Sequence, residues 1–210
     1  MGDSKNILSE FKFDTIITDP PYGINYDGGK TQKGSQNLGN IKGDEIPFDI
    51  TFLLSFNTDI ICWGLPQYIK NIPLSKGQWY VWDKTIQNNL KVRIAECEFC
   101  WHKNGTKSRI FRHLWSGAYR GSESGIKSKH PTQKPIILME WCIDKTEGNI
   151  ICDPFMGSGT TGIACINKNK QFIGIEIDKK YFDIACNRIS SSNLEPWKYN
   201  KSKLNLFEGF

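Results

Sequence analysis

The sequence predicts an α/β domain with a doubly wound, mostly parallel sheet. Its C-terminal third reads strand (Asn149-Ile-Ile-Cys152), Gly-rich turn (Asp153-Pro-Phe-Met-Gly-Ser-Gly-Thr-Thr161), helix (Thr160 to Lys168), strand (Gln171-Phe-Ile-Gly-Ile-Glu-Ile177). Such a βαβ unit makes its strands parallel and places helices on the faces of the sheet. The short β-branched run Phe13 to Thr18 reads as a buried strand, and Asp59 to Trp63 as a further strand. No run approaches 18 apolar residues and mean hydropathy is −0.44, so no membrane span is expected.

The elements follow in order. Phe13-Asp-Thr-Ile-Ile-Thr18 is a β-branched strand ended by the rigid turn Asp19-Pro-Pro-Tyr22. Residues 23–49 hold Gly23, Gly28, Gly29, Gly34, Gly39 and Gly43 with few apolar residues, the mark of a long functional or disordered loop. Asp59 to Trp63 and Gln78 to Trp82 read as strands, with a helix over Pro66 to Ile72 between them. Ala95, Cys97, Phe99 and Trp101 alternate with polar residues, as in a half-buried strand. Ile136 to Ile143, just after Pro135, and Tyr181 to Ile189 have helical length. Ser190 to Ser192 and Pro196 mark a loosely held tail. The expected organisation is one domain over 1–189 with a small insert at about 83–129, then a tail over 190–210. At 210 residues and 39% hydrophobic content, a full core forms without disulfides or metal.

The N-terminal Met1-Gly-Asp-Ser-Lys-Asn6 has neither the apolar stretch of a signal peptide nor the Ser or Thr of a myristoylation site. Seven cysteines, an odd number, read as reduced thiols of a cytoplasmic protein. Cys97-x-x-Cys100 with His102 supplies half of a zinc ligand set and lacks a second pair, so no metal site is expected.

The net charge of +5 is unevenly placed. Lys103, Lys107, Arg109, Arg112, Arg120, Lys127, Lys129 and Lys134 share one stretch with a single acid, Glu123. That stretch is +7, leaving −2 for the rest of the chain. Phe111, His113, Trp115 and Tyr119 are interleaved with these charges, and Gly117, Gly121 and Gly125 mark the stretch as loop-rich. Basic residues with aromatics suit a nucleic-acid surface; ordinary solvated loops carry the same residues.

Two motifs carry chemistry. Gly157-Ser-Gly159-x-x-Gly162 follows a strand and opens a helix, with Glu176 ending the next strand. That arrangement fits a nucleoside-bearing cofactor whose ribose hydroxyls meet the acid, without saying which cofactor. A tight strand–helix turn with no ligand is the bland alternative. In Asp19-Pro-Pro-Tyr22, two prolines pre-organise a turn that presents a carboxylate, carbonyls and an aromatic face. Acceptors beside a stacking ring suit a planar group bearing an NH₂; a packed Asx-type turn is the structural alternative.

Asp19-Pro-Pro-Tyr22, His130-Pro-Thr-Gln-Lys-Pro135, Asp153 to Thr161 and Ile173-Gly-Ile-Glu-Ile-Asp178 occur together and in this order. The chain thereby resembles the β class of DNA amino-methyltransferases, over nearly its whole length. These are circular permutants of the Rossmann-like methyltransferase fold that use S-adenosylmethionine (AdoMet). The resemblance implies that Asp19, Pro20, Pro21 and Tyr22 clamp the target amine. Asp153, Phe155, Gly157, Ser158, Gly159, Thr160 and Glu176 would form the AdoMet site. Thr132, Lys134 and Pro135 would contact the methionine part, and Asp3 of Gly2-Asp3 the adenine amine. Asp at position 19 points to adenine N6; cytosine N4, where Ser is common, is the nearest alternative. An NAD oxidoreductase and an inactive DNA-binding protein are the others. DNA would be held by Lys107, Arg109, Arg112, Arg120, Lys127 and Lys129. The resemblance leaves open a second copy of the chain and a cognate restriction endonuclease as partners. The insert is short, so a short recognition sequence, or weak specificity, is expected.

Overall fold

A computed structural model describes residues 1–26, 41–85, 95–116, 119–123, 125–126, 128–192 and 204–206. The expected Lys127, most of the glycine-rich loop, Gly117 and much of the tail lie outside these residues.

Ten strands are described: β1 (Thr15–Thr18), β2 (Asp59–Trp63), β3 (Gln78–Asp83), β4 (Cys97–His102), β5 (Arg109–Arg112), β6 (Trp115–Ser116), β7 (Tyr119–Arg120), β8 (Ile150–Asp153), β9 (Gln171–Gly174) and β10 (Leu204–Leu206). Eight of them form one sheet in the order β10-β9-β8-β1-β2-β4-β3-β5, and β6 and β7 form a separate hairpin. All strands of the large sheet run one way except β4, which is antiparallel to both β2 and β3.

The apolar runs explain the double winding. Ile17, Ile61, Ile151 and Phe172 point to one face, where α4 (Ile136–Ile143), α5 (Thr160–Asn167) and α6 (Lys179–Ser190) pack. Their neighbours Ile16, Ile60, Cys152 and Ile173 point to the other. That face is covered by α2 (Thr51–Leu54), α3 (Leu65–Tyr68) and the Leu8 turn after α1 (Ser4–Ile7). Both sides of each strand are therefore dry, which is why alternation is missing from the sequence. Register places Ile16 beside Ile60 and Cys152, so β8 and β1 are neighbours despite lying far apart in the chain.

Several elements differ from expectation. In β4 the expected alternation is not kept: Trp101 is buried as expected, but Phe99 is 39% exposed and the intervening Cys100 and His102 are buried as well. A strand flanked on both sides and covered on both faces need not alternate. The strand after α5 ends at Gly174 rather than Ile177, and the helix after β2 is a single turn continued by a 3₁₀ turn over 69–71. The basic stretch is not all loop, because it supplies β5 and the hairpin. The expected tail adds β10 to the edge of β9. None of the seven cysteines is in a disulfide. Among the described residues no helix is long and apolar enough to cross a membrane.

Candidate active site

The carboxyl ends of β1, β8 and β9 lie side by side and open into one cleft of about 290 Å³. In open parallel sheets this edge is where ligands bind. Nine of the expected residues line it: Asp3, Asp19, Pro20, Pro21, Tyr22, Thr132, Phe155, Gly157 and Glu176.

The β1 turn forms one wall. Tyr22 Oη donates to Asp19 Oδ1 at 2.7 Å. The Tyr22 ring lies against Gly64, the left-handed residue (φ +79°) that follows β2; a Cβ there would stand 2.2 Å from the ring. Glycine at 64 thus makes room for the ring and takes the turn. The chain after Tyr22 is tied down by Asp44, a buried residue that sequence reasoning missed. Its carboxylate accepts from Gly23 N and Tyr26 N, both at 2.7 Å, and its carbonyl from Asn25 N at 2.9 Å.

The β8–α5 and β9–α6 turns form the opposite wall. Glu176 accepts from Gly157 N through Oε2 and from Asp178 N through Oε1, both at 2.9 Å. Burial pushes its pKa up against these bonds. Gly2 N donates to the Glu176 carbonyl at 3.0 Å, and Asp3 caps α1 through Lys5 N. This brings Gly2-Asp3 beside Glu176. Phe155 stands edge-on to Phe48, with ring centroids 5.5 Å apart. His130, also in the lining, packs 4.4 Å from the Tyr181 ring. Burial, with Lys134 nearby, lowers its pKa to about 4, so it is neutral at physiological pH.

The other expected residues sit elsewhere. Asp153 is buried below the turn and accepts from Thr18 Oγ1 (2.7 Å), Thr161 Oγ1 (2.6 Å) and Phe155 N (3.1 Å). It braces β8 against β1 and α5 and does not line the cleft. Burial pushes its pKa to about 6. Gly159 and Gly162 serve packing: a Cβ at 159 would meet Ala185 and Ile189 at 3.0 Å, and one at 162 would meet Ile189 at 2.5 Å. Ser158 is buried and bonded by Arg188, Thr160 is buried in the first turn of α5, and Pro135 precedes α4. Lys134 does not line the cleft; its ammonium is hydrogen-bonded to Asp19 Oδ2 from behind, and stands 3.2 Å from Glu98.

The basic stretch divides between two edges. Arg112 ends β5 at the carboxyl edge, exposed and 3.8 Å from Asp83, about 19 Å from β1 at ordinary strand spacing. Lys129 is exposed near His130. Arg120 packs over Trp115 and donates to the Ile126 carbonyl. Lys107 and Arg109 line a different, polar cleft at the amino edge, with Lys103, His102 and Tyr80. The lone acid of the stretch, Glu123, ties it to the site by accepting from Ile136 N (2.9 Å) and Gln133 Nε2 (3.3 Å).

The cleft fits AdoMet. Six carboxylates line it (Asp3, Asp19, Asp44, Asp49, Glu176, Asp178) against two lysines, Lys5 and Lys42. That charge suits a cationic sulfonium and amine and opposes a pyrophosphate. Packing of Ala185 and Ile189 also fills the space above Gly159, where the dinucleotide reading would bring a pyrophosphate to the backbone.

The comparisons agree with this geometry. The family description "DNA methylase", which takes in N6 and N4 enzymes, matches residues 60–187, more than half of the chain. The Type II methyltransferase M2.DpnII of Streptococcus pneumoniae is 40% identical, over 91% of this chain and 89% of its own. The Type II methyltransferase M2.LlaDCHI of Lactococcus lactis subsp. cremoris is 29% identical, over 90% and 87%. A crystal structure of the M1.HpyAVI–SAM complex superposes with a TM-score of 0.57 at 29% identity, covering 92% of this chain and 97% of that one. The chain therefore belongs to the DNA methylase family, as a site-specific DNA methyltransferase that takes its methyl group from AdoMet.

Proposed function

We propose that this methyltransferase modifies the N6 amine of adenine, extruded from the DNA helix into the cleft. The observation that carries this is Asp19: a carboxylate at the cleft wall, held by Tyr22 and Lys134, in a turn whose ring lies beside it. An adenine amine has two N–H groups and a lone pair delocalised into its ring. Asp19 and the Pro20 carbonyl accept the two N–H bonds and favour a pyramidal nitrogen with a localised lone pair. Tyr22 supplies the stacking face. A base inside a duplex is out of reach, so it is flipped.

Asp3 and Glu176 would hold the nucleoside end of AdoMet, with Phe155 and Gly157 between them and Thr132 toward the methionine end. Bound AdoMet supplies an already electrophilic methyl group. The chain's own contribution is to align the amine with that carbon and exclude water. No covalent enzyme intermediate is required. The buried Cys62, Cys100, Cys142, Cys152 and Cys165 are all held as neutral thiols by burial, which fits that route. The exposed Arg112 and Lys129 at this edge would hold DNA phosphates. The Type II designation of the relatives suggests a restriction–modification setting.

The test is incubation with labelled AdoMet and unmethylated DNA, digestion to nucleosides, and identification of the product. N6-methyl-2′-deoxyadenosine as the product supports the reading. N4-methylcytosine, or no transfer to adenine in any duplex or single strand, overturns it. Sequencing methylated positions in cellular DNA gives the recognition site.

A further inference from the structure

A row of alternating charges runs behind the catalytic turn. Asp19 Oδ2 accepts from Lys134 Nζ, and that ammonium stands 3.2 Å from Glu98 Oε2 on β4. Glu98 Oε1 accepts from Lys84 Nζ, at the end of β3, at 2.9 Å. Lys134 and Lys84 are buried, and Asp19 and Glu98 are mostly so. Glu98 Oε2 itself is fully covered, with no other polar partner than Lys134 among the described residues. Nothing assigned so far gives Glu98 or Lys84 a role. Neither lines the cleft.

We propose that Glu98, acting through Lys134, is a positioning residue for methyl transfer, holding the ammonium between two carboxylates so that Asp19 stays an effective acceptor for the target amine. The proposal rests on the reading of Asp19 as that acceptor. Transfer makes the demand plain. The amine lone pair forms the new N–C bond, the S–C bond breaks with its electrons going to sulfur, and the nitrogen is left with one proton too many. That proton passes from the amine to Asp19, and from Asp19 to water. A lysine paired with Asp19 alone would hold the carboxylate oxygen tightly and make it a poor proton acceptor. Glu98 draws the same ammonium the other way. Lys84 in turn compensates Glu98, so the row of two acids and two bases is neutral, as burial requires.

The groups facing Asp19 are few. Tyr22 donates from its own turn, and Lys134 comes from the segment before α4. Glu98 and the Cys100 thiol face it from β4, Cys62 from β2 and Asp153 from β8. Burial outweighs Lys134 and raises the Asp19 pKa, and Glu98 raises it further. Burial opposes the charge of Glu98 too, but Lys134 and Lys84 together hold its carboxyl below the usual range.

The two partners of Lys134 therefore act on Asp19 with opposite sign, and that sets the test. Single-turnover transfer from labelled AdoMet to unmethylated DNA is followed from about pH 5 to 9 in the parent chain, Glu98→Gln, Lys134→Met and Lys134→Arg. Loss of the Glu98 charge should move the acid limb of the rate to lower pH. Loss of the Lys134 charge should move it to higher pH, by about 1–3 units, and Lys134→Arg should bring it back toward the parent. AdoMet affinity of Glu98→Gln, measured by direct titration, should be unchanged. An acid limb that stays in place in Glu98→Gln, or moves as in Lys134→Met, overturns the proposal; if Lys134→Met fails to fold, the isosteric Glu98→Gln decides alone. Asp19→Ala, run alongside, separates the two readings. Activity in that variant defeats the role of Asp19 itself, whereas an inactive Asp19→Ala with an unmoved Glu98→Gln limb defeats only the role of Glu98.

Discussion

The two edges of the sheet hold similar residues to different ends. At the carboxyl edge, acids and an ammonium are buried around a cleft, and glycines at 64, 157 and 159 take left-handed turns. At the amino edge, polar groups finish the ends of strands. His102 lies between Tyr80 (Oη to Nδ1, 2.6 Å) and Asp59 (Nε2 to Oδ2, 2.8 Å). Lys103 donates to the carbonyls of Phe56 and Thr58, and Asp14 accepts from the amides of Asn149 and Ile150. At the amino edge these groups are satisfied by one another and by the backbone of the strand ends. The carboxyl edge keeps charged groups aimed at a cavity, and that arrangement is sustained only where the surrounding fold determines it.

The largest effect expected at the carboxyl edge is that of Asp19→Ala. Transfer should fall by at least about a hundredfold with AdoMet binding largely kept; retained activity would remove the distinction between the edges. Gly64→Ala comes next. Its Cβ collides with the Tyr22 ring and adds a left-handed strain, so kcat should drop about tenfold or more in a chain that still folds. A normal kcat would show that Tyr22 need not sit where it does.

Asp153 tests whether burial of charge at this edge costs stability. Its folded pKa of about 6 lies above the usual 3.8. The protonated form is therefore favoured by folding, and its contribution, full below the unfolded value, is lost as pH rises through the folded one. Asp153→Asn imitates the protonated acid. Between about pH 4 and 7, urea melts should shift in favour of the variant by about 3 kcal/mol. Parallel stability curves would contradict this.

The smallest effect separates the edges by DNA binding. Neutralising Arg112 and Lys129 should lower the salt slope of DNA binding by about one for each phosphate no longer neutralised. Neutralising Lys107 and Arg109, at the far edge, should leave it unchanged. Equal changes from both pairs would mean that DNA reaches the amino edge too.

Much of this was legible in the sequence because it is local. Asp19, Pro20, Pro21 and Tyr22 are consecutive, so the turn and its chemistry are written in one tetrapeptide. Glu176 follows a strand that the Gly-rich turn announces. The β-branched runs mark strands whose two faces are both dry. Asp44 and Glu98 were not legible, since each looks like an ordinary surface acid until the fold carries it to Gly23 or to Lys134. The glycine pattern misled in the other direction: Gly157, Gly159 and Gly162 share one motif, but of the three Gly157 alone lines the cleft.

The sequence by itself determined a parallel sheet covered by helices, because that depends on apolar runs and on a local strand–turn–helix–strand unit; the family chemistry and the AdoMet requirement came with the resemblance that four ordered motifs carry. Tertiary structure alone decided where the charge points. Arg109 and Arg112 are three residues apart, yet a strand rises about 3.3 Å per residue, so they end on opposite edges. Lys134 was expected at the methionine part of AdoMet, but the packing of α4 on β1, with β4 one strand further along the sheet, seats it between Asp19 and Glu98. Side-chain direction is set by strand polarity and by which neighbours a segment packs against, and neither is encoded within the segment itself.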